Sequence, residues 1–269
     1  MVIQHNIAAI NSYRNLGVNQ SSLSKNLEKL SSGFRVNRAG DDAAGLAISE
    51  AMRSQINGLN QAVRNANDSI GLIQTAEGAL TETHSMLQRM KTLATQAANG
   101  TYTDTARANI KAEIDELTSE IDRIATATEF NGVTPLSGGA TMTFQIGATK
   151  AEVLKVTSEE MDSANLGVNN ITVDDTTNAN NAIDVINGAI DTVSEYRAKL
   201  GAAQNRMEHT VSNLKVTSEN ITAAESRIRD TDMADEITAY TKNNILMQAA
   251  QSMLAQSNAM PQGVLSMLQ

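Results

Sequence analysis

Apolar residues recur along most of this chain at alternating steps of three and four, a spacing that requires helices packed lengthwise on other helices. One stripe runs Met52, Ile56, Leu59, Val63, Ala66, Ile70, Ile73, Glu77, Leu80, His84, Leu87, Lys91 and Ala94, and ten of its thirteen positions are apolar. A second runs beside it through Leu72, Ala76, Ala79, Met86, Met90, Leu93 and Ala97, broken at Thr83. Two seams on one helix imply more than one neighbour. Asp41 and Asp42 after Gly40 can cap its start, and Asn99-Gly100 ends it. At 1.5 Å per residue it is roughly 80 Å long.

Ile110, Ile114, Leu117, Ile121 and Ile124 mark a second helix, with Asp104 as its candidate cap. A third carries the most regular heptad: Ile183, Ile186, Ile190, Val193, Arg197, Leu200, Gln204, Met207, Val211, Leu214. Between them the period changes. Met142, Phe144 and Ile146 alternate with Thr141, Thr143 and Gln145, and Leu154 and Val156 follow a Gly147–Lys150 turn, so a β-hairpin is expected near 141–157. The polar run Asp174 to Asn181 is read as an exposed tip. Aromatic residues make up only 3% of the chain, Trp is absent and only Pro135 and Pro261 can interrupt a helix. The expected fold is mainly α: a long antiparallel helical bundle or coiled-coil rod with a small β-hairpin. A two-helix terminal coiled coil formed by both chain ends completes it. The domains are placed at 1–40 with 223–269, and at 41–222.

Several kinds of chemistry find no support. The chain has no Cys, which removes disulfides, thiolate catalysis and zinc–thiolate sites. A formal net charge of −9 argues against a nucleic-acid backbone as partner. His5, His84 and His209 form no His-Glu-x-x-His pair, and His84 sits in a heptad seam. Asp174, Asp175, Asn178 and Asn180 loosely suggest a calcium loop, but Ala179 and Val185 stand where that loop requires Gly and Glu. No nucleophile elbow, phosphate loop or dinucleotide fingerprint occurs, so no catalytic residue, metal or cofactor is expected.

The ends behave differently from the middle. Residues 1–13 carry no formally charged side chain with His5 neutral, and neither do residues 243–269. Surface helices rely on charge for solubility, so both segments are expected to be covered. Both have helical seams: Tyr13, Leu16, Gln20, Leu23, Leu27, Leu30, and Leu246, Ala250, Met253, Ser257, Met260, Val264, Met267. Their flanks oppose in sign. Residues 1–35 hold four basic side chains against Glu28, net +3, and residues 230–269 hold four acidic ones against Lys242, net −3. The simplest reading pairs the ends, with Ile7, Ile10, Leu16, Leu23, Leu27, Leu30, Leu246, Met253, Leu254, Met260, Val264 and Leu265 as assembly residues. One partner helix buries only one seam, too little to offset the entropy of ordering each end. The ends are therefore expected to order on assembly. Eleven of the last twenty-seven residues are Asn, Gln or Ser, too polar for a lipid-facing helix.

At these residues the chain resembles the bacterial flagellins. The likeness rests on the opening Val2-Ile3-Gln4-His5-Asn6-Ile7-Ala8-Ala9 and on the block from Glu28 through Ser31-Ser32-Gly33-Phe34-Arg35-Val36-Asn37-Arg38 and Gly40-Asp41-Asp42-Ala43-Ala44-Gly45 to Ser49. It continues in Gln74–Leu80, Glu129-Phe130-Asn131-Gly132, Phe144-Gln145-Ile146-Gly147, Ala223–Asp230 and Met253-Leu254-Ala255-Gln256. The resemblance implies a structural subunit that polymerises into the flagellar filament for motility, here a short form lacking large outer domains, and not an enzyme. A flagellin-like hook–filament junction protein is the alternative. It further implies extracellular localisation after export without a cleaved signal peptide. Implied partners are a homopolymer of itself, an export chaperone, the filament cap and hook-junction proteins. In vertebrate hosts it implies recognition by a flagellin-sensing Toll-like receptor. The family's receptor contacts fall here on Gln88, Arg89, Leu93, Gln96 and Glu113. The stretch departs from the common Arg-Val-Arg-Glu-Leu form, reading Arg89-Met90-Lys91-Thr92-Leu93, and Lys91 lacks the guanidinium fork.

Overall fold

The structure is a computed structural model that describes residues 5–139 and 141–267. In chain order its elements are α1 (Ile7–Ser32), α2 (Ala43–Ala97), α3 (Asp104–Ala127), β1 (Thr141–Gln145), β2 (Val153–Thr157), α4 (Thr176–Arg229) and α5 (Met233–Met267). Contacts divide the chain into two units, 1–56 with 219–269, and 57–218. The limits fall inside α2 and α4.

Short polar residues set the helix ends. The Asp42 carboxylate accepts from the Gly45 N–H at 2.8 Å and caps α2. Thr103, not Asp104, caps α3: its hydroxyl oxygen accepts from the Ala106 N–H at 3.3 Å, while Asp104 occupies the first turn, where the helix dipole favours an acid. The buried Arg107 closes the other side of this connection. Its guanidinium donates to the carbonyl of Ala97 (3.0 Å), which ends α2 without a helical donor, and to that of Asn99 (3.3 Å) in the turn beyond. The expected tip at 174–181 is instead the start of α4. Asp175 accepts from the Asn178 N–H at 2.7 Å, and Ala179 and Ala182 behind it are buried.

The core of the 57–218 unit is a set of strict three–four seams. On α2 the buried line is Ala62, Ala66, Ser69, Ile73, Ala76, Leu80, Thr83, Leu87, Met90, Ala94 and Ala97. It draws on both stripes seen in the sequence and passes through Ser69 and Thr83, while Leu59, Leu72 and Leu93 of those stripes are buried beside it. Both hydroxyls donate to the carbonyl four residues back, Ser69 to Asn65 (2.7 Å) and Thr83 to Ala79 (3.2 Å), so burial leaves neither unsatisfied. On α4 the buried line is Ala179, Ala182, Ile186, Ala189, Val193, Tyr196, Leu200, Met207, Val211 and Leu214. Ile183, Ile190, Arg197 and Gln204 of the expected heptad lie beside it, half-buried. Ile110, Ile114 and Ile121 of α3 join the same core.

The hairpin forms as expected. β1 and β2 pair antiparallel with Met142 opposite Val156 and Phe144 opposite Leu154, and Met142, Leu154 and Val156 enter the core. The irregular segment between β2 and α4 adds Met161, Leu166, Val168, Ile171 and Val173 to it. The Asp122 carboxylate holds that segment, accepting from the Ser163 N–H (2.8 Å) and hydroxyl (2.9 Å). No helix among the described residues is long and apolar enough to cross a membrane.

Candidate assembly surface

The 1–56 with 219–269 unit reverses this pattern. Among its described residues only Val36 is a buried hydrophobic. Most of the molecule's exposed large hydrophobics are here instead: Ile7, Ile10, Tyr13, Val18, Leu27, Ile48, Met233, Ile237, Ile245, Leu246, Met253 and Met260.

Helices α1 and α5 lie against each other, with Cα atoms within 8 Å. They run antiparallel, because Lys29 meets Glu236, Asn26 meets Tyr240 and Asn6 meets Ser257. The inward line on α1 is Asn6, Ala9, Ser12, Leu16, Asn19, Leu23, Asn26 and Leu30; on α5 it includes Asn243, Met247, Ala250, Leu254, Ser257 and Pro261. Small and amide side chains alternate with Leu and Met, which permits the close approach. Asn26 is the most enclosed of the α1 line, at 8% exposure. With its amide oriented to suit its surroundings, Oδ1 accepts from the Tyr240 main-chain N–H (3.0 Å) and Nδ2 donates to the Ser22 carbonyl (2.7 Å).

The expected assembly residues therefore divide. Leu16, Leu23, Leu30 and Leu254 turn inward and are half-buried. Ile7 (62% exposed), Ile10, Leu27, Leu246, Met253 (65%) and Met260 face outward. Tyr13, Leu27, Leu246, Met253 and Met260 thus leave the seams that apolar spacing alone assigned to them, displaced by Asn19, Asn26, Met247 and Leu254. The side chains of Val264, Leu265 and Met267 lie outside the described residues. At about 100° per residue, Ile7 and Ile245 point away from the partner helix, and Tyr13 and Leu27 follow one flank of α1. Leu246, Met253 and Met260, spaced by seven, follow a flank of α5. Apolar surface is thus left on more than one side of the pair.

The opposed charges of the flanks meet directly only in part. Lys29 reaches Glu236 at 3.9 Å, but Arg38 pairs with Glu28 (2.7 Å), Arg14 with the Asn11 side chain (3.1 Å), and Arg35 donates to the Ile228 carbonyl. What joins the two ends beyond α1 is main chain. Gly33 adopts φ 74°, a left-handed conformation that ends α1 and that side chains disfavour. The next residue, Phe34, forms an antiparallel bridge with Asp230: Arg35 N–H donates to the Arg229 carbonyl (2.6 Å) and Thr231 N–H to the Gly33 carbonyl (3.0 Å). The Arg229 guanidinium stacks 4.7 Å over the Phe34 ring and pairs with Glu50 at 2.7 Å. That hydrogen bond from Arg229 is the main reason the Glu50 carboxyl is held below its ordinary pKa.

In the 57–218 unit, Arg89 and Glu113 form an exposed ion pair at 2.7 Å; Gln88 and Gln96 are also exposed, and Gln96 donates to the Tyr102 hydroxyl at 2.9 Å. Leu93 is not with them. It is 2% exposed and packs in the core, because it follows Met90 by three along the buried side of α2. His84 is half-buried and contacts the Gln88 amide at 2.8 Å, without a second ligand-type partner. Among the described residues no group of three His, Asp or Glu side chains is placed to hold a metal ion.

Residues 3–141 match the bacterial flagellin N-terminal helical region, and residues 183–268 the bacterial flagellin C-terminal helical region. The flagellin of Halalkalibacterium halodurans is 51% identical over 271 residues, and that of Bacillus subtilis 50% identical over 303 residues, with 100% of both chains covered in each case. The flagellar filament 33 kDa core protein of Treponema phagedenis is 47% identical over 285 residues, again covering 100% of each chain. The crystal structure of Bacillus cereus flagellin superposes with a TM-score of 0.52 at 31% identity, covering 60% of this chain and 94% of that one.

Proposed function

The chain belongs to the bacterial flagellin family and is a structural subunit of the flagellar filament, and we propose that copies polymerise through the outward apolar residues of α1 and α5. One observation carries this reading: the unit that contains both chain ends seats amides and small side chains among the Leu and Met of its inner seam and leaves most of its large apolar side chains outside, unlike the 57–218 unit. Such a pair gains little by folding alone and much by being surrounded. Because Ile7, Tyr13, Leu27, Ile245 and the Leu246–Met253–Met260 line occupy different sides, one neighbour cannot cover them all. A subunit enclosed on several sides is what a tube or rod of many copies supplies, with the terminal pair innermost. In this reading residues 1–40 with 223–269 form the assembly domain and 41–222 the exposed one.

The same surface suggests the remaining partners. Before assembly its apolar residues require a cover, the role of an export chaperone for α5. At the growing end they meet the cap, and at the base the hook-junction proteins. The finished polymer is extracellular, and the role is structural rather than catalytic. Gln88, Arg89, Gln96 and Glu113 form the exposed patch that a host flagellin-sensing receptor would meet, with Leu93 supporting the helix from below. Deleting 243–269 tests the assembly reading. The shortened chain stays soluble and helical but neither polymerises nor extends filament seeds; retained polymerisation would show that the C-terminal segment is not an essential assembly surface.

A further inference from the structure

Pro261 lies inside α5. A proline there has no N–H, so the carbonyl four residues earlier, that of Ser257, loses its helical donor. Ser257 is 5% exposed, which leaves that carbonyl little access to water, and a buried carbonyl without a donor is costly. The donor comes from the other end of the chain. Asn6 Nδ2 donates to the Ser257 carbonyl at 2.7 Å across 251 residues of sequence. The same side chain caps α1, its Oδ1 accepting from the Ala9 N–H at 3.0 Å. Both halves of one amide are thus engaged, one starting a helix and the other completing a second helix that proline has opened.

We propose that Asn6 and Pro261 form a register latch for the terminal pair: the proline exposes one carbonyl on α5, and the asparagine at the start of α1 seats on it. A regular helix presents no unsatisfied carbonyl in its interior, so a sliding partner finds no preferred stop. Pro261 creates one at a single position. A slip by one turn would leave the Ser257 carbonyl unpaired and place Asn6 against carbonyls already bonded within α5. Asn26 makes a further side-chain contact at the other end of the pair, accepting from the Tyr240 N–H, but there α5 is regular and no proline singles out the position. The latch rests on the proposed role of the pair as assembly core, and it adds that the correct register, rather than apolar burial, is what these two residues contribute.

The test uses the full chain and separates the cap from the latch. Asn6→Asp keeps a capping oxygen but removes the donor; Pro261→Ala restores an N–H at that position, so the Ser257 carbonyl no longer needs one. The critical concentration for seeded filament growth is measured for the four combinations. Asn6→Asp is expected to raise it about tenfold with Pro261 present, and by no more than about twofold in the Pro261→Ala background. Equal effects in both backgrounds, or none in either, would overturn the latch. A second measurement covers a variant that fails to assemble. In filaments of the unaltered chain labelled with 15N-Asn side chains and 13C-carbonyl Ser, solid-state NMR should show, besides the Asn26–Ser22 contact, a second Asn–Ser contact within about 4 Å. That contact should vanish in Ser257→Ala, which keeps the carbonyl but not its label. No such contact in intact filaments overturns the latch yet leaves assembly through the ends standing, since the 243–269 deletion tests that separately.

Discussion

Met253 offers the most direct perturbation of the outward surface. It is 65% exposed in the isolated chain and sits in the middle of the Leu246–Met253–Met260 line. Full burial of a methionine side chain is worth ~1.5–3 kcal/mol, so covering the exposed two-thirds contributes about 1–2 kcal/mol per subunit on assembly. Met253→Glu removes that gain and puts a carboxylate under a neighbour, which costs at least about 2 kcal/mol more even if the group takes up a proton. The sum, ~3–5 kcal/mol, corresponds to a rise in critical concentration on the order of 10²- to 10⁴-fold. Sedimentation of seeded reactions over a concentration series measures it. Met253→Leu, which keeps volume and polarity, should remain within about tenfold of the parent. The melting curve of the unassembled glutamate variant should stay close to that of the parent, because the side chain makes no part of the 57–218 core. Growth of the Met253→Glu chain at the parental critical concentration would refute the claim that this face is covered in the polymer.

Two further outcomes follow from the contrast between the units. Leu80→Ala, at a fully buried position of the α2 seam, should destabilise the unassembled chain by ~2–5 kcal/mol, whereas Leu246→Ala should change it by no more than about 0.5 kcal/mol; denaturant melts measure both. Amide hydrogen exchange should be on the order of 100-fold faster in α1 and in α5 up to Met260 than along Ala62–Ala97 of α2, a local stability gap of about 3 kcal/mol, and should slow on polymerisation. Equal protection of these segments before assembly would mean that the ends fold without neighbours.

Much of this fold can be read from residue spacing, and the misreadings share a cause. Counting apolar residues found that α2 and α4 carry seams, and both α2 stripes supply buried residues, but it passed over the polar members of the central line. Ser69 and Thr83 belong to that line, and their hydroxyls return to their own helix, so a polar letter marks a position that costs little to bury. On α1 the same counting chose Tyr13 and Leu27 over Asn19 and Asn26. Nothing in the letter Asn says whether its amide will meet water or, as at Asn26, the main chain of another helix. The segment from Met161 to Val173 has neither strand nor helix period, so its five buried apolar residues had no template to match. The start of α4 was hidden by the composition of 174–181, although Asp175 has the capping chemistry and Ala179 and Ala182 continue the heptad. The candidate surface was legible as a region, through its missing charges. Which of its side chains face outward was not, because that depends on which amides find partners across the pair.

The Phe34–Asp230 bridge has a mechanical consequence. Where one strand of main chain links two bodies, a twist applied to one is lost by rotation about the single bonds between them. Here the path out of α1 and the path into α5 lie side by side, cross-tied by two main-chain hydrogen bonds and clamped by Arg229 between Phe34 and Glu50. Neither strand can swivel about its own bonds without shearing the other. A twist at the start of this segment is therefore resisted locally by both strands together, within the unit formed by the two chain ends. In a filament, that local stiffness sits where each subunit's chain leaves the paired helices.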